Sequence, residues 1–265
     1  MRALFRDLLS QDPVREEEGV SFFGGEEDGD CFEEEDVRFW EEGGLTQNWS
    51  KSDLADRPAG RALLAEIARK GGPVIDLASG PGLGFLPAIL RPAPEVPCLA
   101  LDASPAVLLA WSRWFRKNGV KNAPDLAAAS LFRLPFRDSS VGAYTSFIGI
   151  SSTRSGEEGY AAALAEIRRT LRADGAVYAV ENEFEDLPGI LRLFEKAGKE
   201  PWDVFREEDR GPWRKRFEEA GFRTESESCF LRRRLTGRDN ELGRIAGEYG
   251  ADVFLRFSAF VLRKR

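Results

Sequence analysis

Val74-Ile75-Asp76-Leu77-Ala78-Ser79-Gly80-Pro81-Gly82-Leu83-Gly84 decides how the rest of the chain is read. A short apolar run carries one carboxylate, enters a glycine-rich turn and resumes with apolar residues at helical spacing. That order predicts a buried strand, a tight loop that lets a ligand approach the backbone, and a helix whose unpartnered N–H groups face that ligand. Gly80 and Gly82 supply positive φ or close approach. Pro87 is compatible with a helix beginning near Leu83, because first-turn N–H groups have no partner within the helix.

Downstream, Val96-Pro97-Cys98-Leu99-Ala100-Leu101 reads as a second buried strand, ending at Asp102. An acid at the tip of the second strand of a β-α-β unit, about twenty residues past the glycines, is placed to accept hydrogen bonds from ribose hydroxyls. The unit therefore predicts a site for an adenosine-containing cofactor. Nicotinamide and flavin sites want G-x-G-x-x-G, with pyrophosphate on the helix N-terminus. Here Asp76 lies four residues before Gly80. A carboxylate there repels a pyrophosphate and suits a ligand that carries positive charge.

In these residues the chain resembles the class I S-adenosylmethionine-dependent methyltransferases, most nearly the small type 11 methyltransferase domains. The resemblance runs from about Asp53 to Arg265 and is densest from Val74 to Asn182. Leu134-Pro135-Phe136 and the helix Ala161–Leu171 leading into Asp174-Gly175 share it. It implies S-adenosylmethionine as cofactor, with Asp76, Ala78, Ser79, Gly80, Pro81 and Gly82 around its methionine part. It implies Asp102 on both ribose hydroxyls, Ala103 beside the adenine, and Ser130 and Leu131 near the adenine amine. Ser146, Phe147 and Ile148 would flank the sulfonium. The chain departs from the pattern at Ala78, where the first glycine of the motif stands, and at Ser130, which replaces an acid and removes a charged acceptor. Gly142 stands where many relatives carry Asp, and the histidines found there at the end of the fourth strand are missing.

Composition narrows the chemistry. The 265 residues contain no His, which removes the commonest general base and the commonest metal ligand. Cys31, Cys98 and Cys229 have neither disulfide-framework nor metal spacing, so no metal is expected and a reducing, cytoplasmic setting is the default. No apolar run approaches a membrane span, and the first residues lack a signal-peptide core. Within residues 15–42, thirteen acids against Arg15 and Arg38 carry a local −11; from a total of −7, the remainder is +4. An acidic front on a mildly basic body argues against a dedicated nucleic-acid binder. So does Phe147-Ile148-Gly149-Ile150-Ser151, which lacks the Asn/Asp-Pro-Pro-aromatic run of methyltransferases acting on exocyclic amines of nucleic acids.

Through residue 181, strands and helices alternate. Asp56 is the expected N-cap of a helix to Lys70, and Ser104-Pro105 opens the helix carrying Trp111 and Trp114, which read as core packing. Further strands are expected at Asp125–Leu131, Val141–Ile150, Ala176–Val180, Phe222–Phe230 and Val253–Leu262, with a short helix near Glu241. The predicted fold is α/β, Rossmann-like and doubly wound. Its mostly parallel, seven-stranded sheet has an antiparallel last strand, and an acidic N-terminal extension precedes it. Residues 1–52 are expected to form that extension, in part a lid, because Phe22, Phe23, Phe32, Phe39 and Trp40 are too many aromatics for a mobile tail. Residues 53–265 form the methyltransferase domain.

The resemblance points to methyl transfer onto a small-molecule acceptor. No catalytic residue is assigned outright. Glu181 and Glu183, just past the fifth strand, are candidates to take a proton or hold a cationic amine; Tyr160 is a weaker one, and Trp49 could wall the pocket. The alternatives are a non-catalytic methyltransferase-like binding protein, whose acidic segment docks on a basic partner, and an NAD-dependent oxidoreductase. The acceptor and the oligomeric state are not legible.

Overall fold

The computed structural model describes residues 1–24, 34–51, 53–153, 156–202, 205 and 212–265. Phe32 and Cys31 lie outside these residues, as do Arg154 and Ser155. Nine strands form one sheet: β1 (Arg15–Glu17), β2 (Val20–Phe22), β3 (Val74–Leu77), β4 (Cys98–Asp102), β5 (Asp125–Ala128), β6 (Val141–Phe147), β7 (Leu171–Phe184), β8 (Phe222–Arg234) and β9 (Phe254–Lys264). Their order is β1-β2-β5-β4-β3-β6-β7-β9-β8. The run β2-β5-β4-β3-β6-β7 is parallel, and β1 and the β9/β8 pair are antiparallel to their neighbours. This is the expected doubly wound α/β sheet.

The strand count differs from the seven expected, and the N-terminal segment is the reason. Val20, Ser21 and Phe22 are all buried and pair in parallel with Leu126–Ala128, extending the sheet past its third strand. The β1–β2 turn is fastened to helix Pro105–Lys117: the Ser112 hydroxyl donates to the Glu18 carbonyl, and Arg116 bonds the Glu18 carboxylate at 2.9 Å. An acidic stretch thus acquires local cationic partners.

Local chemistry sets the helices. Pro105 occupies the first turn, and the Ser104 hydroxyl accepts from Val107 N at 3.4 Å, as the Ser-Pro pair predicts. Helix Pro58–Lys70 ends where Gly71 turns to φ +67°. Its N-cap is Arg57, not Asp56, because Asp53–Asp56 closes a separate short helix that takes up the acid. The fifth core strand begins at Leu171 rather than Ala176. Val141 pairs with Leu171 and Ala143 with Ala176, so Arg172–Gly175 bulges out of a strand instead of preceding it.

Two apolar layers sandwich the sheet. On one face, helices Pro58–Lys70, Leu86–Leu90 and Pro105–Lys117 cover Val74, Ala100, Tyr178 and Val180. On the other, helices Gly156–Thr170 and Trp213–Glu219 cover Ile75, Leu77, Leu99, Leu101 and Ala179. Ile190, Phe194, Leu242 and Ile245 centre a third cluster, built by helices Leu187–Lys196 and Glu241–Glu248. The outer strand β8 presents Arg232, Arg233 and Arg234, which pair with Glu185 at 2.9 Å, Asp239 at 3.5 Å and Asp252 at 2.6 Å. Charge on an edge strand discourages pairing with another chain. Among the described residues, no helix is long and apolar enough to cross a membrane.

Candidate functional site

The order of the sheet reverses between β3 and β6, and in open α/β sheets ligands collect at the carboxyl ends of the strands beside such a switch point. The glycine loop stands there. It is held by its neighbours' polar groups: Ser79 N donates to the Leu101 carbonyl at 3.1 Å, and the Ser79 hydroxyl donates to the Asp76 carbonyl at 3.0 Å. From outside the motif, Trp111 Nε1 donates to the Gly80 carbonyl at 3.3 Å and Asn48 Nδ2 to the Pro81 carbonyl at 2.9 Å. Four residues of the loop have positive φ: Ala78 at +46°, Gly80 at +54°, Leu83 at +52° and Gly84 at +46°. For the non-glycines this conformation costs about 1–2 kcal/mol each, so the loop shape is imposed by these bonds.

Asp102 sits at the junction of loop and second strand. Its Oδ2 accepts from Gly80 N at 2.8 Å and its Oδ1 from Ser104 N at 2.9 Å. At 8 % exposure the carboxylate lies against the loop rather than out in solvent. Among the described residues, a Cβ on Gly80 would have no atom nearer than 3.9 Å, and one on Gly82 would meet nothing within 4 Å. The loop therefore offers open backbone beside a carboxylate, which fits an adenosyl ligand bearing ribose hydroxyls.

Asp76 lies beneath the loop. It is fully buried; Oδ1 accepts from the Thr145 hydroxyl at 2.6 Å and from Phe85 N at 3.3 Å, whereas Oδ2 has no hydrogen-bond partner. Burial pushes its pKa up to about 7, against the opposing pull of those donors. Its carboxyl therefore gains a proton more readily than an exposed aspartate does.

The remaining residues singled out from the sequence fall into three groups. Ala103 is half-buried beside Asp102. Ser130, also half-buried, accepts from Phe132 N at 3.2 Å, and Leu131 is buried in the second apolar layer. Phe147 is half-buried at the end of β6, edge-on to Phe85 at 6.5 Å and to Phe230 at 5.8 Å. Trp49 packs with Trp111, Trp114 and Phe115, ring centroids 5.4–6.3 Å away, behind the residues that brace the loop.

Ser146 and the three proton-transfer candidates meet in one cluster. Glu181 is fully buried, with Oε1 accepting from the Ser146 hydroxyl at 2.8 Å and Oε2 from Ser151 N at 3.0 Å. The Tyr160 hydroxyl donates to the Ser151 carbonyl at 3.3 Å, and its ring meets Trp213 edge-on at 5.2 Å. Trp213 N in turn donates to Glu183 Oε2 at 3.3 Å. Glu181 thereby ties down the loop after β6, in which Ile148 takes a φ of +61°. Of the two carboxyls Glu183 is the half-buried one, and burial raises its pKa.

Burial also pushes the Glu181 carboxyl up to about 7. Two carboxyls whose pKa rises on folding, Asp76 from 3.8 and Glu181 from 4.5, bind protons more tightly in the native chain. Their contribution to stability is therefore greatest below about pH 4 and is lost as pH climbs to about 7. The slope is at most about 1.4 kcal/mol per pH unit for each group. Urea unfolding at several pH values should show Glu181→Gln flatter than wild type across that window. Parallel curves would contradict the assignment.

Thr145, Asn48, Trp111 and Phe85 were not anticipated as site residues. Thr145 reaches Asp76 only because β6 lies in register beside β3, with Asp76 opposite Thr145. No local pattern carries that pairing.

The sheet order, with the loop over its switch point, is that of a Rossmann-like, doubly wound α/β fold. Residues 75–179 match the family model described as a methyltransferase domain. Solved structures share the fold. MccD protein superposes with a TM-score of 0.53 at 15% identity, covering 79% of this chain and 99% of its own. A protein from Bacillus halodurans C-125, provisionally described as a methyltransferase, gives 0.52 at 18%, covering 81% and 99%. Geranyl diphosphate methyltransferase in complex with SAM gives 0.50 at 10%, covering 77% and 84%. A search of the curated proteins found no match.

Proposed function

We propose that the chain is an S-adenosylmethionine-dependent methyltransferase acting on a small-molecule acceptor, within the cytoplasm. The observation that carries this reading is the Asp102 carboxylate bonded to Gly80 N at 2.8 Å, beside backbone at Gly80 and Gly82 that no described residue crowds. When bound, S-adenosylmethionine supplies an already activated methyl group. The protein's part is alignment and exclusion of water, and holding reactants in line lowers such a barrier by about 7–11 kcal/mol.

In this reading Asp102 holds the ribose, Ala103, Ser130 and Leu131 border the adenine, and Asp76 favours the ammonium from beneath the loop. Ser79, Pro81 and the open backbone of Gly80 and Gly82 shape the methionine end, with Ala78 setting the turn. Ser146 and Phe147 bring the methyl to the end of β6. Glu181 positions the loop after β6, and Glu183, more accessible, receives a proton from the acceptor or holds a cationic one. Within residues 1–52, the helix carrying Asn48 lies against the loop, and residues 53–265 act as the catalytic unit.

The test is transfer of an isotopically labelled methyl group from S-adenosylmethionine into a metabolite extract, followed by identification of the labelled product. A labelled small molecule formed only with the protein is the expected result. Cofactor binding with no transfer would instead make this a non-catalytic member of the fold.

A further inference from the structure

The arginines of the carboxyl-edge hairpin are matched by acids: Arg232, Arg233 and Arg234 as above, and Arg256 by Glu227 at 3.6 Å. Arg57 is different. At the start of helix Pro58–Lys70 it is half-buried, and among the described residues it has no ion pair and no side-chain hydrogen bond. Its Nε is buried without a partner. Its guanidinium carbon lies 5.3 Å from the centre of the Phe230 ring.

That ring leads to the site. Phe230 meets Phe147 edge-on at 5.8 Å, Phe147 meets Phe85 at 6.5 Å, and Phe85 N bonds Asp76. Arg57 therefore borders the end of β6 across two aromatic rings. A buried guanidinium N–H left unmade is costly, and a planar carboxylate satisfies Nε and one terminal nitrogen together. With Arg57 as the unpaired guanidinium there among the described residues, a singly charged carboxylate balances the site better than a dianionic phosphate.

We propose that Arg57, with Phe230 against its guanidinium, is a carboxylate-binding subsite beside the end of β6. This rests on the function proposed above, and two ligands could bring that group: the methionine end of the cofactor, or the acceptor.

Calorimetry on wild type, Arg57→Leu and Arg57→Lys separates the cases. S-adenosylhomocysteine and its carboxylate-free counterpart 5′-methylthioadenosine are titrated first. If the cofactor supplies the carboxylate, Arg57→Leu weakens S-adenosylhomocysteine at least tenfold, leaves methylthioadenosine unchanged, and is partly rescued by Lys. If the acceptor supplies it, both adenosyl ligands bind all variants alike. Acetate, benzoate, phenylacetate or decanoate then binds the S-adenosylhomocysteine complex of wild type more tightly than the matching amide, and Arg57→Leu abolishes the difference.

The proposal is overturned if Arg57→Leu, melting as wild type does, alters neither preference, or if inorganic phosphate outcompetes every carboxylate. Failure of both adenosyl ligands to bind wild type would instead overturn the methyltransferase reading itself.

Discussion

Asp102→Ala is expected to weaken S-adenosylhomocysteine binding by about 1.5–3 kcal/mol, or roughly ten- to a hundredfold and more. Two effects add. On the proposed reading the substitution removes charged acceptors for the ribose hydroxyls, and it frees Gly80 N and Ser104 N, which the carboxylate now joins at 2.8 and 2.9 Å. Asp102→Asn keeps one acceptor oxygen and the side-chain shape, and should lie between wild type and Ala. Calorimetric titration of the three proteins reads the series directly. Equal affinity in all three would show that this carboxylate holds no ligand and serves only to pin the loop.

Gly84→Ala should be the most disruptive small change in the loop. The new methyl would lie 2.4 Å from Asp76 Oδ2 and 2.8 Å from Oδ1, at a backbone φ of +46° that side chains avoid. Asp76 cannot yield easily, being fully buried and bonded to Thr145. Left-handed strain and overpacking together cost about 2–5 kcal/mol. In thermal unfolding this is a fall of roughly 5–15 °C.

Two controls define the cause. Gly82→Ala, whose methyl would meet nothing within 4 Å, should change stability by less than about 0.5 kcal/mol while obstructing the ligand. In an Asp76→Ala background the Gly84→Ala cost should shrink, because the clashing oxygens are gone. An undiminished cost there would place the strain elsewhere.

Much of the architecture was written locally. Two apolar runs each carrying or ending in an acid, one followed by glycines, specify β3, its loop and β4 without any long-range information. Ser104-Pro105 likewise marks its own helix start. What was missed depended on contacts between distant segments. Val20–Phe22 is too short to show a period of two against a background of acids, and its burial comes from pairing with Leu126–Ala128. Asp174-Gly175 carries a turn signal, and the chain does leave its register there, but between two paired parts of one strand.

The site divides along the same line. Asp76, Asp102 and the glycines could be singled out locally, the glycines because the turn needs positive φ or close approach and the acids because each carries or ends an apolar run. Thr145, Asn48 and Trp111 were not, because any of several residues can donate to Asp76 or to a loop carbonyl. Only the folded arrangement selects which. Trp111, read as packing alone, is indeed fully buried, yet its indole N–H also holds the Gly80 carbonyl.

The most direct measurement is a calorimetric titration of the full chain with S-adenosylmethionine, S-adenosylhomocysteine and NADH in parallel. A pocket shaped for a phosphate-free adenosyl ligand should take up the first two with micromolar-range affinity and give no heat with NADH. Heat with NADH alone, or with none of the three, would contradict the account.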